Sequence, residues 1–379
     1  MKVVIATDSF KGSLSTIQAG NAISEGIKRV FSDVETSVHP IADGGEGTVE
    51  AMSTIAGSKK QSVKVCGPLN QKVDAVYVII ENTAVIEMSA AAGITLIKKE
   101  KLNPLDTTTY GVGEIICDAI KKGCRNFIIG IGGSATNDGG IGMLTALGFE
   151  FTDIGGKPIP QGAKGLEKMY NINTGNAMAE LKECNFRIAC DVTNPLCGEK
   201  GCSAIYGPQK GATPKMVEDM DKWMSKYADL TKSINPDADQ NTPGAGAAGG
   251  MGFAFLSYLN GKLQPGIELI TEETNLEEHI KYADVVITGE GRLDGQSVMG
   301  KVPVGVAKLA KKYEKPVIAF AGCVTEDAKN LNNYGIDAFF PILKGVCSLD
   351  EAMNTQNAYV NLSDTTEQVF RLLNMQKML

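Results

Sequence analysis

The chain opens on an apolar run at residues 2–6 (KVVIA), the pattern of a buried strand. Apolar and small residues then recur at Ile17, Gly20, Ile23, Ile27 and Val30, a spacing that predicts a helix starting near Ser15 with that side buried. SVHPIA (37–42) predicts a second strand, and a second helix is expected from Thr48. Residues 61–99 break this rhythm: QSVKVCGPLN, KVDAVYVII and TAVIEMS read as short alternating strands in antiparallel order. Residues 127–130 read as a buried parallel strand, the spacing in IGMLTALGFE beyond them suits a helix, and FRIACDV puts Asp191 at the end of a further strand. The last third returns to strand–helix alternation in ADVVITGEGRLDGQS, KPVIAFAG and IDAFFPIL. These strands resemble the first in kind, so they are expected to complete the sheet begun at the N-terminus. Residues 1–66 plus 283–379 then form one discontinuous α/β domain, and residues 67–282 an inserted one. A length of 379 residues also favours two domains.

The junctions between elements carry the candidate chemistry. The densest is FIIGIGGSATNDGGIG (127–142), with glycines at 130, 132, 133, 139, 140 and 142 and Ser134, Thr136, Asn137 and Asp138 among them. A strand running through glycines into a helix start aims unpaired N–H groups at one point, which binds phosphate or carboxylate. A tight strand-to-helix turn alone also needs glycine; six glycines interleaved with four small polar residues favour a ligand loop. TDSFKGSLS (7–15) places Asp8, Ser9, Lys11 and Ser13 at the carboxyl end of a strand, where open α/β sheets bind ligands. Asp8 or Ser9 alone also reads as a helix cap, and Lys11 stands evenly between site and solvent. In ADGGEGT, Asp43 and Glu46 flank Gly44 and Gly45; such acids hold magnesium, accept hydroxyl protons, or simply suit the positive end of a helix.

Five further stretches carry candidate chemistry. YGPQKGA sets Lys210 in a glycine-bounded turn, and GAGAAGGMG (244–252) reads as a ligand loop or a tight helix contact opening a helix. In DVVITGEGRLD (284–294) a strand ending at Thr288 delivers Glu290, Arg292 and Asp294 into one bend, either as a surface ion pair or as a functional group. GQSVMGK (295–301) fits GxxxxGK, but Val302 stands where a P-loop has Ser or Thr for magnesium. GIGGSA is a weak match to the dinucleotide fingerprint: it comes late in the chain, and polar Asn137 and Asp138 stand where the helix should bury itself.

Composition narrows the chemistry. The 43 glycines exceed the usual share of about 7% and collect in loops after apolar runs. A net charge of −7 without a basic cluster argues against nucleic acid. Two histidines leave little room for histidine-centred mechanisms, and nine cysteines without CxxC suggest neither a disulfide framework nor structural zinc. The apolar start is too short for a signal peptide and no run reaches membrane-spanning length, so a cytoplasmic protein with no membrane partner is expected. Abundant acids, scattered cations and many backbone donors suit phosphoryl transfer, where positioning and charge neutralisation dominate.

TDSFKGS, ADGGEGT, EMSAAAGI, GIGGSATNDGG, YGPQKGA, GAGAAGGMG and TGEGRLDGQS, in that order, resemble the type-1 family of bacterial glycerate kinases over essentially the whole chain. The resemblance implies ATP- and magnesium-dependent phosphorylation of D-glycerate, to the 2-phosphate or alternatively the 3-phosphate. It implies two different α/β domains: a Rossmann- or flavodoxin-like one whose mainly parallel sheet comes from both chain ends, and an inserted mixed-sheet one, with the active site in the cleft between them. A homodimer is left open. Under this resemblance Asp8, Ser9, Lys11, Asp43, Gly44 and Arg292 bind the substrate, with Lys11 and Arg292 on the carboxylate or the transferring phosphate. Gly132, Gly133, Ser134, Ala135, Thr136, Asn137, Asp138 and Lys210 hold ATP, and Asp191 and Asp294 hold magnesium or act as base. Two other classes compete. A nicotinamide-dependent oxidoreductase would need a true fingerprint near the N-terminus, and an organic-acid sensor would normally carry an output domain.

Overall fold

The computed structural model describes residues 1–295, 297 and 301–375. In chain order the strands are β1 (Lys2–Thr7), β2 (Glu35–Val38), β3 (Lys59–Cys66), β4 (Lys72–Ile80), β5 (Thr83–Glu87) and β6 (Asn126–Gly130). They continue with β7 (Glu150–Thr152), β8 (Asn171–Asn173), β9 (Asn185–Ala189), β10 (Lys262–Gln264), β11 (Val285–Leu293), β12 (Val317–Val324) and β13 (Ala338–Pro341).

The chain divides into two units. The first comprises Met1–Asp43, Glu50–Ile55 and Ile267–Leu379, the second Gly44–Val49 and Ala56–Gly266. The expected borders at 66/67 and 282/283 therefore differ from the observed ones. Strand β3 pairs along its whole length with β4 and so joins the second unit, while Ile267–Leu379 goes with the first.

In the first unit the sheet order is β13-β12-β11-β1-β2, all parallel, drawing its strands from both chain ends. Ser15 starts the first helix, Thr16–Lys28, through a capping box: its hydroxyl accepts from Gln18 N at 3.3 Å and Gln18 Oε1 accepts from Ser15 N at 2.9 Å. Ala19, Gly20, Ala22, Ile23 and Ile27 form its buried face, whereas Ile17 is only half-buried and Val30 lies past the helix end. Strand β2 is shorter than SVHPIA suggests. It ends at Val38, although His39 N still reaches Ile5 O at 2.8 Å and Ile41 N reaches Thr7 O at 3.3 Å on either side of Pro40. Strand β11 is longer than expected, because β12 pairs with it through Arg292↔Cys323 and Leu293↔Val324. Glu290 and Arg292 thus lie on a strand, not in a bend.

The second unit has a mixed sheet in the order β10-β9-β6-β5-β4-β3. The first three strands in chain order, β3, β4 and β5, pair antiparallel; β5, β6, β9 and β10 pair in parallel. The β7–β8 ribbon stands apart. Strand β6 is buried on both faces, with Phe127 stacked on Phe186 of β9 at 4.8 Å between centroids. The helix after the central loop, Ile141–Ala146, is shorter than IGMLTALGFE suggests, since Gly148 turns left-handed at φ +95°. The 244–252 run does open a helix, but Ala248, Gly249 and Gly250 are left-handed, so regular helix begins only at Met251. All nine cysteines are free, and among the described residues no helix is long and apolar enough to cross a membrane.

The β6–β9 aromatic stack lies in the buried core of the second unit. Phe127→Ala is expected to destabilise the fold by about 3–5 kcal/mol, the usual cost of emptying an aromatic core position. A urea melt followed by circular dichroism checks this; a midpoint equal to that of the native chain would contradict it.

Candidate functional site

Each unit gathers candidate residues at the carboxyl ends of its parallel strands, where side chains and loops can meet a ligand. In the first unit, Asp8 follows β1 and Glu290 follows the paired position on β11, because Thr7 and Gly289 are register partners. Asp8 donates its own N–H to Gly289 O at 2.9 Å, and its Oδ1 accepts from Ser9 N at 2.6 Å. Asp8 and Glu290 are both buried, at 2% and 7% exposure. Around them stand Lys11, whose Nζ is 3.5 Å from Asp43 Oδ2, and Lys301, whose Nζ is 3.7 Å from both Glu290 Oε2 and Asp294 Oδ1. Ser297 Oγ donates to Glu290 Oε1 at 2.5 Å, and its N–H donates to Asp294 Oδ1 at 3.2 Å. Arg292 is exposed, with Nε 3.4 Å from Asp294 Oδ2. The Ser9 hydroxyl is buried and meets no hydrogen-bond partner among the described residues.

Crowding carboxylates in low dielectric shifts their proton affinity. Burial first, then the nearby Asp43, pushes the Asp8 carboxyl up to about 7, against the pull of Lys11 and the Ser9 N–H. Burial also raises Glu290, although Ser297 and Lys301 oppose it. Burial pulls the Lys11 ammonium down, but Asp43, Asp8 and Glu290 outweigh that and hold it above its ordinary value. The group can therefore take up or release a proton near neutrality at Asp8, with a cation beside it. The chain's two histidines are stacked on each other instead, at 4.2 Å, with His39 lowered by burial and by His279 to about 4.

The second unit offers backbone rather than charge. Three loops meet at the ends of β5, β6 and β9. Gly44 O lies so close to Gly130 that a Cβ there would stand 2.2 Å from it, and a Cβ on Gly132 would stand 2.9 Å from Gly45 Cα. The turn after β5 joins them, as Ile94 N donates to Gly133 O at 2.9 Å and Ala135 N to Ala92 O at 2.8 Å. Glu87, at the end of β5, accepts from Val49 N at 2.7 Å and from Gly47 N, which ties the 44–49 loop down. Gly133 is exposed and Gly132 half-buried, while Ser134 is 9% exposed.

Downstream of this tip the loop turns inward. Ala135, Thr136, Asn137 and Asp138 are 0% exposed and Lys210 is 1% exposed. Asp138 Oδ2 accepts from Thr109 N at 2.8 Å and Thr109 Oγ1 at 2.9 Å, and Oδ1 accepts from Gly140 N at 3.1 Å. Burial still leaves that carboxyl above its ordinary value. Asn137 Nδ2 donates to Ser203 Oγ at 2.9 Å, and Lys210 Nζ donates to Thr136 O at 2.6 Å. Burial draws the Lys210 ammonium down to about 8, against Cys202 and Asp138. Asp191 lies two residues past β9, exposed, and accepts from Gly266 N at 2.9 Å. The structure thus brings Asp8, Ser9, Lys11, Asp43, Arg292 and Asp294 into one unit. Gly44, residues 132–138, Asp191 and Lys210 stand in the other.

Comparison with known proteins decides the family. The family model described as "Glycerate kinase family" matches residues 3–374. The chain belongs to the glycerate kinase family. Over 364 residues it is 48% identical to a protein named glycerate 2-kinase from Escherichia coli (strain K12), covering 96% of this chain and 95% of that one. It is 46% identical to a glycerate kinase from Haemophilus influenzae, covering 98% and 99%. A crystal structure provisionally described as glycerate kinase 2 from Salmonella typhimurium LT2 superposes with a TM-score of 0.89 at 43% identity, over 100% of both chains.

Several members of the site had no assigned role in the family motifs. Ser297 and Lys301 belong to GQSVMGK, whose Gln296, Val298, Met299 and Gly300 lie outside the described residues. Glu290 was visible as an acid after an apolar run, but only the β1–β11 register puts it beside Asp8. Glu87 and Ser89, within 3.5 Å of each other, lie in EMSAAAGI, and nothing in the spacing of that string says it touches the central loop.

The Asp8 environment makes a stability prediction. Folded Asp8 keeps its proton up to about pH 7, whereas an aspartate in an unfolded chain, with a value of about 3.9, has lost it by about pH 5. The folded state binds more protons across that window, so Asp8 makes stability fall as pH rises from about 4 to about 7. Asp8→Asn is expected to gain stability over the native chain through that window and to keep the gain at pH 8. Urea melts at pH 5 and pH 8 check this; identical pH slopes would contradict it.

Proposed function

We propose that this glycerate kinase family member transfers the γ-phosphoryl group of ATP to the 2-hydroxyl of D-glycerate. The observation that carries this reading is the 48% identity, along 96% of the chain, to the protein named glycerate 2-kinase. The chemistry of the two units supports it. Phosphoryl transfer asks for donors around phosphate oxygens, a cation near the developing charge and a group to take the hydroxyl proton.

In this reading the tip at Gly132, Gly133 and Ser134, with Gly44 and Gly45 against it, cradles the phosphates of ATP through backbone N–H groups. Ala135 to Asp138 and Lys210 act from beneath, as their burial requires. Lys11, exposed beside Asp43, pairs with the glycerate carboxylate, and Ser9 and Arg292 bound the same site. Asp8 takes the proton from the attacking hydroxyl, since a carboxyl poised near neutrality is matched to that task.

Among the described residues no group of three Asp, Glu, His or Cys side chains converges as a metal site. Magnesium is commonly held by one or two carboxylates together with substrate phosphates and water. Asp294 is the carboxylate assigned to it, with Asp191 a second candidate. When bound, the ion would neutralise charge on the transferring phosphoryl group.

The test is ADP release from D-glycerate, ATP and Mg²⁺, with the product passed directly to enolase, which takes the 2-phosphate and not the 3-phosphate. ADP release with immediate phosphoenolpyruvate is expected, and Asp8→Asn is expected to lower kcat by about 100-fold or more. A requirement for added mutase would move the reacting hydroxyl to C3. Absence of glycerate-dependent ADP would overturn the reading.

A further inference from the structure

Lysine is almost never fully buried without a charged partner, because removing an ammonium from water is costly. Lys210 is 1% exposed, yet its one hydrogen bond among the described residues goes to a neutral acceptor, Thr136 O, at 2.6 Å. The nearest acid acting on it, Asp138, has its oxygens engaged by Thr109 and Gly140. Cys202 and Asp138 favour the charged form but only partly offset the cost of burial.

The carbonyl it grips is held from a second side. Gly249 packs so tightly on Thr136 that a Cβ would stand 2.1 Å from the same oxygen, and Gly139 N donates to Gly249 O at 2.9 Å. That contact depends on the left-handed run at Ala248, Gly249 and Gly250. Left-handed backbone at the non-glycine Ala248, with φ +52°, is unfavourable and persists only where surroundings enforce it. Because a peptide is planar, drawing the Thr136 carbonyl toward Lys210 turns the N–H of Asn137 the opposite way. A charge-assisted bond also polarises that peptide and strengthens its N–H as a donor. The ammonium adds a buried positive potential at Thr136, three residues along the loop from the exposed Gly133.

We propose that Lys210 is a positioning residue for the nucleotide: it touches no phosphate, but sets the orientation and the positive potential of the 132–138 loop through the Thr136 carbonyl. The proposal rests on the reading of that loop as the ATP cradle. It differs from the direct ATP contact implied by family resemblance.

The test is calorimetric binding of Mg²⁺ and a non-hydrolysable ATP analogue to the full chain, with KM values for ATP and glycerate measured in parallel. Lys210→Met, with a native-like thermal midpoint, is expected to weaken analogue binding and raise KM for ATP at least ten-fold. KM for glycerate should stay within two-fold, and Lys210→Arg should recover most of the loss. Analogue binding by the folded Met variant within two-fold of native, or ATP and glycerate constants rising together, would overturn the role. If the Met variant does not fold, Gly249→Ala decides, since it displaces the same carbonyl and leaves the charge. An ATP-selective loss is expected there, and unchanged analogue binding would overturn the proposal. Analogue binding needs no acceptor, so it stands apart from the choice of glycerate. Failure of the native chain to bind the analogue would overturn the cradle itself.

Discussion

The second unit depends on backbone meeting backbone where no Cβ can fit. The Gly44 carbonyl against Gly130, and Gly45 against Gly132, lock the 44–49 loop onto the end of β6. Glu87 holds that loop from the other side through the N–H groups of Val49 and Gly47. Loops packed this closely keep their amide groups in fixed directions. Fixed direction lets a backbone recognise phosphate without charged side chains at the surface. Adding a methyl at Gly130 or Gly132 would push the 44–49 loop away from the end of β6.

The first unit solves a different problem with different means. Its carboxylates and ammonium groups are crowded at the ends of β1 and β11, where Asp8 and Glu290 are forced into proximity by the strand register. The arrangement costs stability above about pH 4, because burial opposes ionisation of both acids. Acids shifted in this way cluster at functional sites, which is why the proposed function gives Asp8 the proton-transfer role. Under the proposed function, the backbone donors of one unit would hold the phosphoryl donor and the ionisable side chains of the other would activate the acceptor.

Much of this was legible along the chain. The apolar run at residues 2–6, the capping Ser15, the antiparallel interlude after Gln61 and the β6 strand with its glycine loop all rest on local chemistry, which a sequence displays. The direction of a loop side chain does not. Asn137 and Asp138 look ligand-facing because they are polar and lie among glycines, yet Thr109 and Gly140 hold the Asp138 carboxylate from within and Ser203 takes the Asn137 Nδ2, leaving only the buried Asn137 Oδ1 without a partner among the described residues. The length of β11 depended on a partner, β12, that pairs through Val324. The meeting of ADGGEGT, EMSAAAGI and GIGGSA is set by sheet order, which spacing along one chain does not reveal.

The most direct measurement is hydrogen–deuterium exchange with and without Mg²⁺ and a non-hydrolysable ATP analogue. If backbone amides at the ends of β5 and β6 hold the phosphates, exchange slows in peptides covering residues 41–49 and 130–135. Protection confined to other segments, with these two unchanged while the analogue is bound, would contradict the account.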